Sequence, residues 1–113
     1  MARFTLLTLT ITFITSIASA QTVTVTTGED VIDINASTAT VADLPGPDGK
    51  VSFSEAMIAT NNTPGHQTIA FAIPQSEWTL QFVYPGRAVL RTITGFYLRS
   101  FDDVTIDGTT QTA

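Results

Sequence analysis

Between Asp48 and Gly65 the chain reads DGKVSFSEAMIATNNTPG, the one stretch whose signals fix a helix at both ends. Ser52 is a good N-cap residue. Glu55, three positions on, completes a capping box in which each side chain satisfies the other's free backbone N–H. Val51, just outside, is placed to staple weakly onto Ala56. Phe53, Ala56, Met57 and Thr60 fall near one stripe, with Ile58 and Ala59 flanking it. Asn61-Asn62-Thr63-Pro64-Gly65 ends the run, because proline disfavours helix before it and Asn or Gly tolerates a left-handed backbone. The spacing predicts an amphipathic helix over Val51–Asn61, with Phe53, Ala56 and Met57 facing inward and Ser54 facing out. A helix this short is not stable alone and must lie on something apolar.

Nearly everything around that helix reads as β structure. QTVTVTT, from Gln21 to Thr27, alternates with period two, setting Val23 and Val25 on one face and threonines on the other. Gly28-Glu29-Asp30 reads as a turn and Val31–Ile34 as a second strand, so a hairpin is expected here. NASTATVADL has no clear period, and Pro45-Gly46-Pro47-Asp48-Gly49 is a loop. Thr68–Ile73 is almost wholly apolar and stops at Pro74, as a strand buried on both faces would. Thr79–Val83 alternates, Ala88–Ile93 and Gly95–Leu98 are weaker candidates, and Val104–Ile106 runs into the Asp107-Gly108 turn. The chain stops in a turn at Gly108–Thr112 and is expected to be a piece of something longer.

Residues 1–20 carry the marks of an export signal. Arg3 supplies a positive start, Phe4–Ile17 an apolar run spaced with threonines, and Ala18-Ser19-Ala20 the small residues a signal peptidase inspects. The run is too short and too rich in threonine for a membrane span, which takes about 20 mostly apolar residues. The expected location is therefore secreted or at the cell surface, with no membrane span once the signal is removed. Residues 21–113 are small for an independent domain, and the chain has no cysteine with which to brace one. The formal net charge is −5, and loss of Arg3 makes the remainder more acidic still. The lack of a basic patch argues against nucleic acid and anionic membranes as partners. Arg87, Arg91 and Arg99 are the nearest thing to a cationic cluster and read as solvated side chains.

Few residues suggest chemistry. Asp48-Gly49-Lys50-Val51-Ser52-Phe53-Ser54-Glu55 imitates the second half of an EF-hand loop, with Asp48 and Glu55 at ligand positions. The first half fails: Leu44 and Gly46 stand where carboxylates belong, and Asp43 is out of register. His66 is the only histidine, which rules out zinc held by imidazole and thiolate groups of this segment. A Ser-His-Asp arrangement can be drawn through His66, but no nucleophile elbow accompanies it, and it reads as an exposed loop residue. Asp102, Asp103 and Asp107 offer paired acids for glycoside hydrolysis or calcium binding. Asp102 and Asp103 point to opposite faces if extended, however, and Asp107-Gly108 is ordinary turn chemistry. Trp78, Tyr84, Phe96 and Tyr97 suit a sugar-stacking surface but read better as core or rim packing. Asn35-Ala36-Ser37 and Asn61-Asn62-Thr63 fit the glycosylation sequon.

DGKVSFSEAMIATNNTPG, then QTIAFAIP, then VTIDGTTQ, resembles in its order the N-terminal region of exported bacterial right-handed parallel β-helix proteins. In these a Cys-Ser-Leu-Arg-Glu-Ala motif opens a capping helix ending in Ala-Asn-x-x-x-Gly, followed by a strand like TIAFAIP and a turn like IDGTTQ. Ser52, Glu55 and Ala56 match the motif. Val51 stands for its cysteine, Phe53 for its leucine and Ser54 for its arginine. The resemblance spans about residues 45–112. It implies a mainly β fold: an N-terminal cap of strands plus one short amphipathic helix, and the first coil of a right-handed parallel β-helix. The expected parts are a signal peptide (1–20), an N-terminal β segment and loop (21–46), and a capping helix with an incomplete first coil (47–113). Ser52, Phe53, Glu55, Ala56 and Met57 are the expected cap residues, plugging an apolar end that would otherwise aggregate.

Three functions are consistent with this. The leading one is non-catalytic, without cofactor or metal: the cap and first coil of a surface or secreted protein for adhesion or glycan binding. Its partners would be the downstream coils of the same chain, and glycans or cell-surface polymers. The second is the N-terminal part of a polysaccharide lyase or glycoside hydrolase whose active site lies downstream. The third is a complete small β protein with no catalysis. Fold alone does not choose among them.

Overall fold

The computed structural model describes residues 5, 8–13, 20–92 and 103–112. Its regular elements are β1 (Gln21–Val25), α1 (Phe53–Asn61), β2 (Gln67–Phe71) and β3 (Val104–Asp107), with single 3-10 turns at Val41–Asp43, Gln75–Glu77 and Gly108–Thr110. The strands form one parallel sheet whose spatial order, β1-β2-β3, repeats their order in the chain. Among the described residues the fold is thus small and mixed: an open three-stranded parallel sheet carrying one helix. The described residues before Ala20 have no regular secondary structure, and among the described residues no helix is long and apolar enough to cross a membrane.

Register makes the sheet a set of ladders. Val23 lies beside Ile69, and Ile69 beside Ile106, so one face carries a file of β-branched side chains. On the opposite face Thr22, Thr68 and Thr105 form a second file. The alternation of QTVTV is the cause in β1, where Val23 and Val25 are buried and Thr22 and Thr24 exposed. β2 lies between two strands and is buried along most of its length, as its apolar run requires.

The helix lies across β1 and β2 on the aliphatic face. Phe53, Ala56 and Met57 join Val23, Val25, Val51, Ile69, Phe71 and Ile73 in one core, and the Phe53 and Phe71 rings stand 5.8 Å apart. The helix is not one-sided, contrary to expectation. Ser54 and Glu55 are as buried as the apolar stripe, at 4% and 0% exposure. The cause is a second covering layer, the chain from Thr27 to Val51, whose polar groups meet the helix's polar side. The Ser54 hydroxyl donates to the Asp30 carboxylate. The far end is tied down by Asn62 Nδ2 donating to the Ala39 carbonyl at 2.9 Å and Val41 N–H to Thr63 Oγ1 at 2.9 Å.

Several expected strands are absent, each for a visible reason. Val31–Ile34 forms no hairpin with β1, which pairs in parallel with β2. Backbone groups that would have made that ladder are taken by the helix cap: Val31 O accepts from Ser52 Oγ and Asp33 N–H donates to Glu55. Thr79–Val83 is a turn. Leu80 has φ 54°, and its carbonyl accepts from both Val83 N–H and Tyr84 N–H. Gln81 then locks the loop, donating to Arg87 O at 2.6 Å and accepting from Gly86 N–H at 3.0 Å. Residues 88–92 also lack strand structure; Arg91 N–H donates instead to the Gly28 carbonyl at 2.9 Å. Gly28 admits that return because a Cβ there would stand 2.6 Å from the Val89 carbonyl oxygen. Ile93 and the strand expected at Gly95–Leu98 lie outside the described residues.

Candidate functional site

The helix N-terminus is built entirely from local side chains. Ser52 Oγ accepts from Glu55 N–H at 3.1 Å, and Glu55 Oε2 accepts from Ser52 N–H at 3.0 Å. Each partner has a further task. Ser52 Oγ donates to the Val31 carbonyl at 2.6 Å, and Glu55 Oε1 accepts from Asp33 N–H at 3.0 Å. Burial pushes the Glu55 carboxyl above the usual glutamate range; the two N–H donors pull it down, and the nearby Asp33 carboxyl pushes it up again. Asp33 in turn accepts from Asp48 N–H at 2.7 Å. Ser52, Phe53, Glu55, Ala56 and Met57 therefore meet in one place, three apolar groups toward the sheet and two polar groups toward the covering layer.

At the opposite edge of the sheet, along β3, the same face is left uncovered. Along the aliphatic file exposure runs 4% at Val23, 0% at Ile69 and 48% at Ile106. Among the described residues no strand pairs with the outer edge of β3. A shallow apolar groove of about 270 Å³ opens there, lined by Phe71, Ile73, Ala88, Leu90 and Ile106 with Gly108 and Gln111. Beyond the end of β3, side chains take over the ladder. Thr110 Oγ1 accepts from Phe71 N–H at 2.7 Å, and Gln111 accepts from Ile73 N–H at 2.8 Å while donating to Ile73 O at 3.1 Å. The sequence places Thr110 and Gln111 in the turn of the VTIDGTTQ segment without showing that their side chains extend the ladder. Their signal was a polar run after a strand, which reads equally as a loose turn.

The sheet's outer face gathers another polar group. His66 Nδ1 lies 3.1 Å from Asp103 Oδ1, and His66 Nε2 lies 3.1 Å from Thr105 Oγ1. The pairing of Gln67 with Val104 brings them together, because it sets His66 opposite Asp103. All three side chains are accessible, and His66 is about half exposed. The sequence reads His66 as an exposed loop residue, which it is, but its partners Asp103 and Thr105 are visible only once β2 and β3 are in register.

The remaining candidates have structural duties. Asp48 Oδ1 accepts from Lys50 N–H at 2.8 Å, and Glu55 spends both oxygens on backbone N–H groups, an arrangement unlike a bidentate cation ligand. Asp107 accepts from the N–H and hydroxyl of Thr109, which hold its carboxyl below the usual range. Trp78 Nε1 donates to Ile73 O at 2.9 Å and packs against the core, while Tyr84 is exposed on the loop tip beside Phe82. Lys50 pairs with Glu77 at 2.8 Å, and Arg91 approaches Glu29 at 3.8 Å. Asn35 is exposed in a turn, whereas Asn61 is the half-buried last residue of α1. Phe96, Tyr97, Arg99 and Asp102 lie outside the described residues. Comparison of the chain with protein-family models, with curated proteins and with solved structures finds no match.

Proposed function

We propose that this chain is the N-terminal cap and first rungs of an exported right-handed parallel β-helix protein, and that it acts without catalysis as the closed end of a binding solenoid. In this reading α1, through Ser52, Phe53, Glu55, Ala56 and Met57, seals the β1 end of the aliphatic file. The β3 end receives the next rung of the same chain. The assembled protein works at the cell surface or outside the cell, in adhesion or in binding glycans or other extended polymers.

One observation carries the reading. Three parallel strands stack in chain order and in register, and their inner file is covered at one end and open at the other. A solenoid propagates in this way, each rung burying the file of the one before. Reading the source gene past the codon for Ala113 tests it. The expected result is an open frame with recurring β-branched strands separated by Asp-Gly or Asn-Gly turns. A stop codon directly after Ala113 would overturn it. Later rungs carrying clustered Asp, Lys and Arg on successive turns would overturn the non-catalytic role and indicate a polysaccharide lyase or glycoside hydrolase instead.

A further inference from the structure

The Asp103–His66–Thr105 line lies on the face of the sheet away from the helix, and it goes beyond the capping role. We propose that these three residues form a nucleophilic triad that accepts acyl groups from carboxylic esters, with Thr105 as nucleophile, His66 as base and Asp103 as the positioning residue. The order of atoms is the one such chemistry requires: carboxylate oxygen to Nδ1 at 3.1 Å, then Nε2 to the hydroxyl oxygen at 3.1 Å. A nucleophile and base within hydrogen-bond reach, the base oriented by a third group, define the arrangement on any fold.

The main chain sets the three residues side by side. Gln67 N–H donates to the Asp103 main-chain carbonyl at 2.9 Å, which holds the Asp103 backbone next to His66. Gln21 N–H donates to the His66 carbonyl at 3.3 Å, fixing the other side. Thr105 sits within β3, two residues after Asp103, so both side chains leave the same face. Its branched Cβ restricts χ1 and keeps the hydroxyl where the imidazole can reach it.

The step balances without any added reagent. His66 Nε2 takes the Thr105 hydroxyl proton as Oγ1 forms a bond to the ester carbonyl carbon. The tetrahedral adduct then expels the alcohol, which leaves with that proton and takes the C–O bond electrons. Water, deprotonated by the same imidazole, cleaves the acyl-threonine, releases the carboxylic acid and returns the hydroxyl. The trio stands on an open face, with Asp103 61% and His66 48% exposed at their side chains. Such a site suits O-acyl esters with good leaving groups, including those projecting from a large extended molecule, and not amides that need a built oxyanion pocket.

The test is p-nitrophenyl acetate hydrolysis by the whole chain, with mass spectrometry of the acyl-enzyme. Turnover above buffer and an acetyl group on Thr105 are expected. Thr105→Val, which keeps shape and strand preference, should lower the rate by about a hundredfold, whereas Thr105→Ser should retain it. Asp103→Asn should lower kcat with KM unchanged, a split that a merely structural role would not give. Circular dichroism of each variant against the parent separates lost chemistry from lost fold. No turnover above buffer, or a rate that survives Thr105→Val, would overturn the triad. Loss on His66→Gln without loss on Thr105→Val would reduce the site to a free surface imidazole and overturn it equally. None of these outcomes bears on the solenoid architecture, whereas turnover with an acetylated Thr105 would replace the non-catalytic role proposed for this end of it.

Discussion

Glu55 concentrates the fold's polar logic in one side chain. It is fully buried, accepts two backbone N–H bonds, and neighbours the Asp33 carboxyl. Its carboxyl is held above the ordinary glutamate range, first by burial. The folded chain therefore binds this proton more tightly than the unfolded chain does. Glu55 contributes its full stability below the ordinary glutamate range and loses it as pH rises through the raised folded value. Glu55→Gln removes the titration and turns an amide NH2 toward one of the two N–H donors. Urea unfolding across pH should show the parent's advantage over Glu55→Gln growing as pH falls; an advantage independent of pH would refute the assignment. At neutral pH the substitution should cost about 1–3 kcal/mol, because a buried donor loses its acceptor. The pairing of Glu55 with Ser52 was legible from three-residue spacing. Its bond to Asp33 was not, since nothing local in the sequence joins positions 33 and 55.

At the scale of the element, the helix shows where pattern reading succeeds and where it fails. Phe53, Ala56 and Met57 announce an apolar stripe, and that stripe lies on the sheet. Ser54 announces a solvent face, yet it is buried against Asp30. A helix sandwiched between two layers keeps polar residues on its second face when that layer supplies polar partners, so composition alone misreads it. Ser54→Asp should accordingly destabilise by about 3 kcal/mol, since it buries a carboxylate against the Asp30 carboxylate. Thermal unfolding reads this directly, and a melting temperature equal to the parent's would return Ser54 to the solvent side. The loop at Thr79–Val83 fails in the opposite direction. Its alternation is that of a strand, but the Gln81 side chain satisfies loop backbone groups and leaves Phe82 fully exposed. Alternation predicts a strand only where a partner edge is available to pair with it.

Across the whole molecule the decisive asymmetry is between the two ends of the aliphatic file. Ile69 and Ile106 are the same residue in neighbouring strands and in register, yet one is 0% and the other 48% exposed. The strands themselves were legible from β-branched runs, and so was the order of helix, strand and turn. Their parallel direction was legible only through the resemblance to parallel β-helix proteins, and the pairing of β1 with β2 was not legible at all, because a strand pattern carries no record of its partner. An edge strand with an uncovered apolar file invites pairing with another strand. Sedimentation over a concentration series should therefore show self-association of the parent, weakened by Ile106→Thr. That substitution preserves strand preference and should change stability by about 0.5 kcal/mol or less at so exposed a position. Ile69→Thr places the same hydroxyl in the sealed part of the file and should cost roughly 2–3 kcal/mol. Equal stability losses would mean that the file is buried alike at both strands, and the cap would then have no open end to oppose. Undiminished self-association in Ile106→Thr would move the sticky surface elsewhere, to the Phe82 loop.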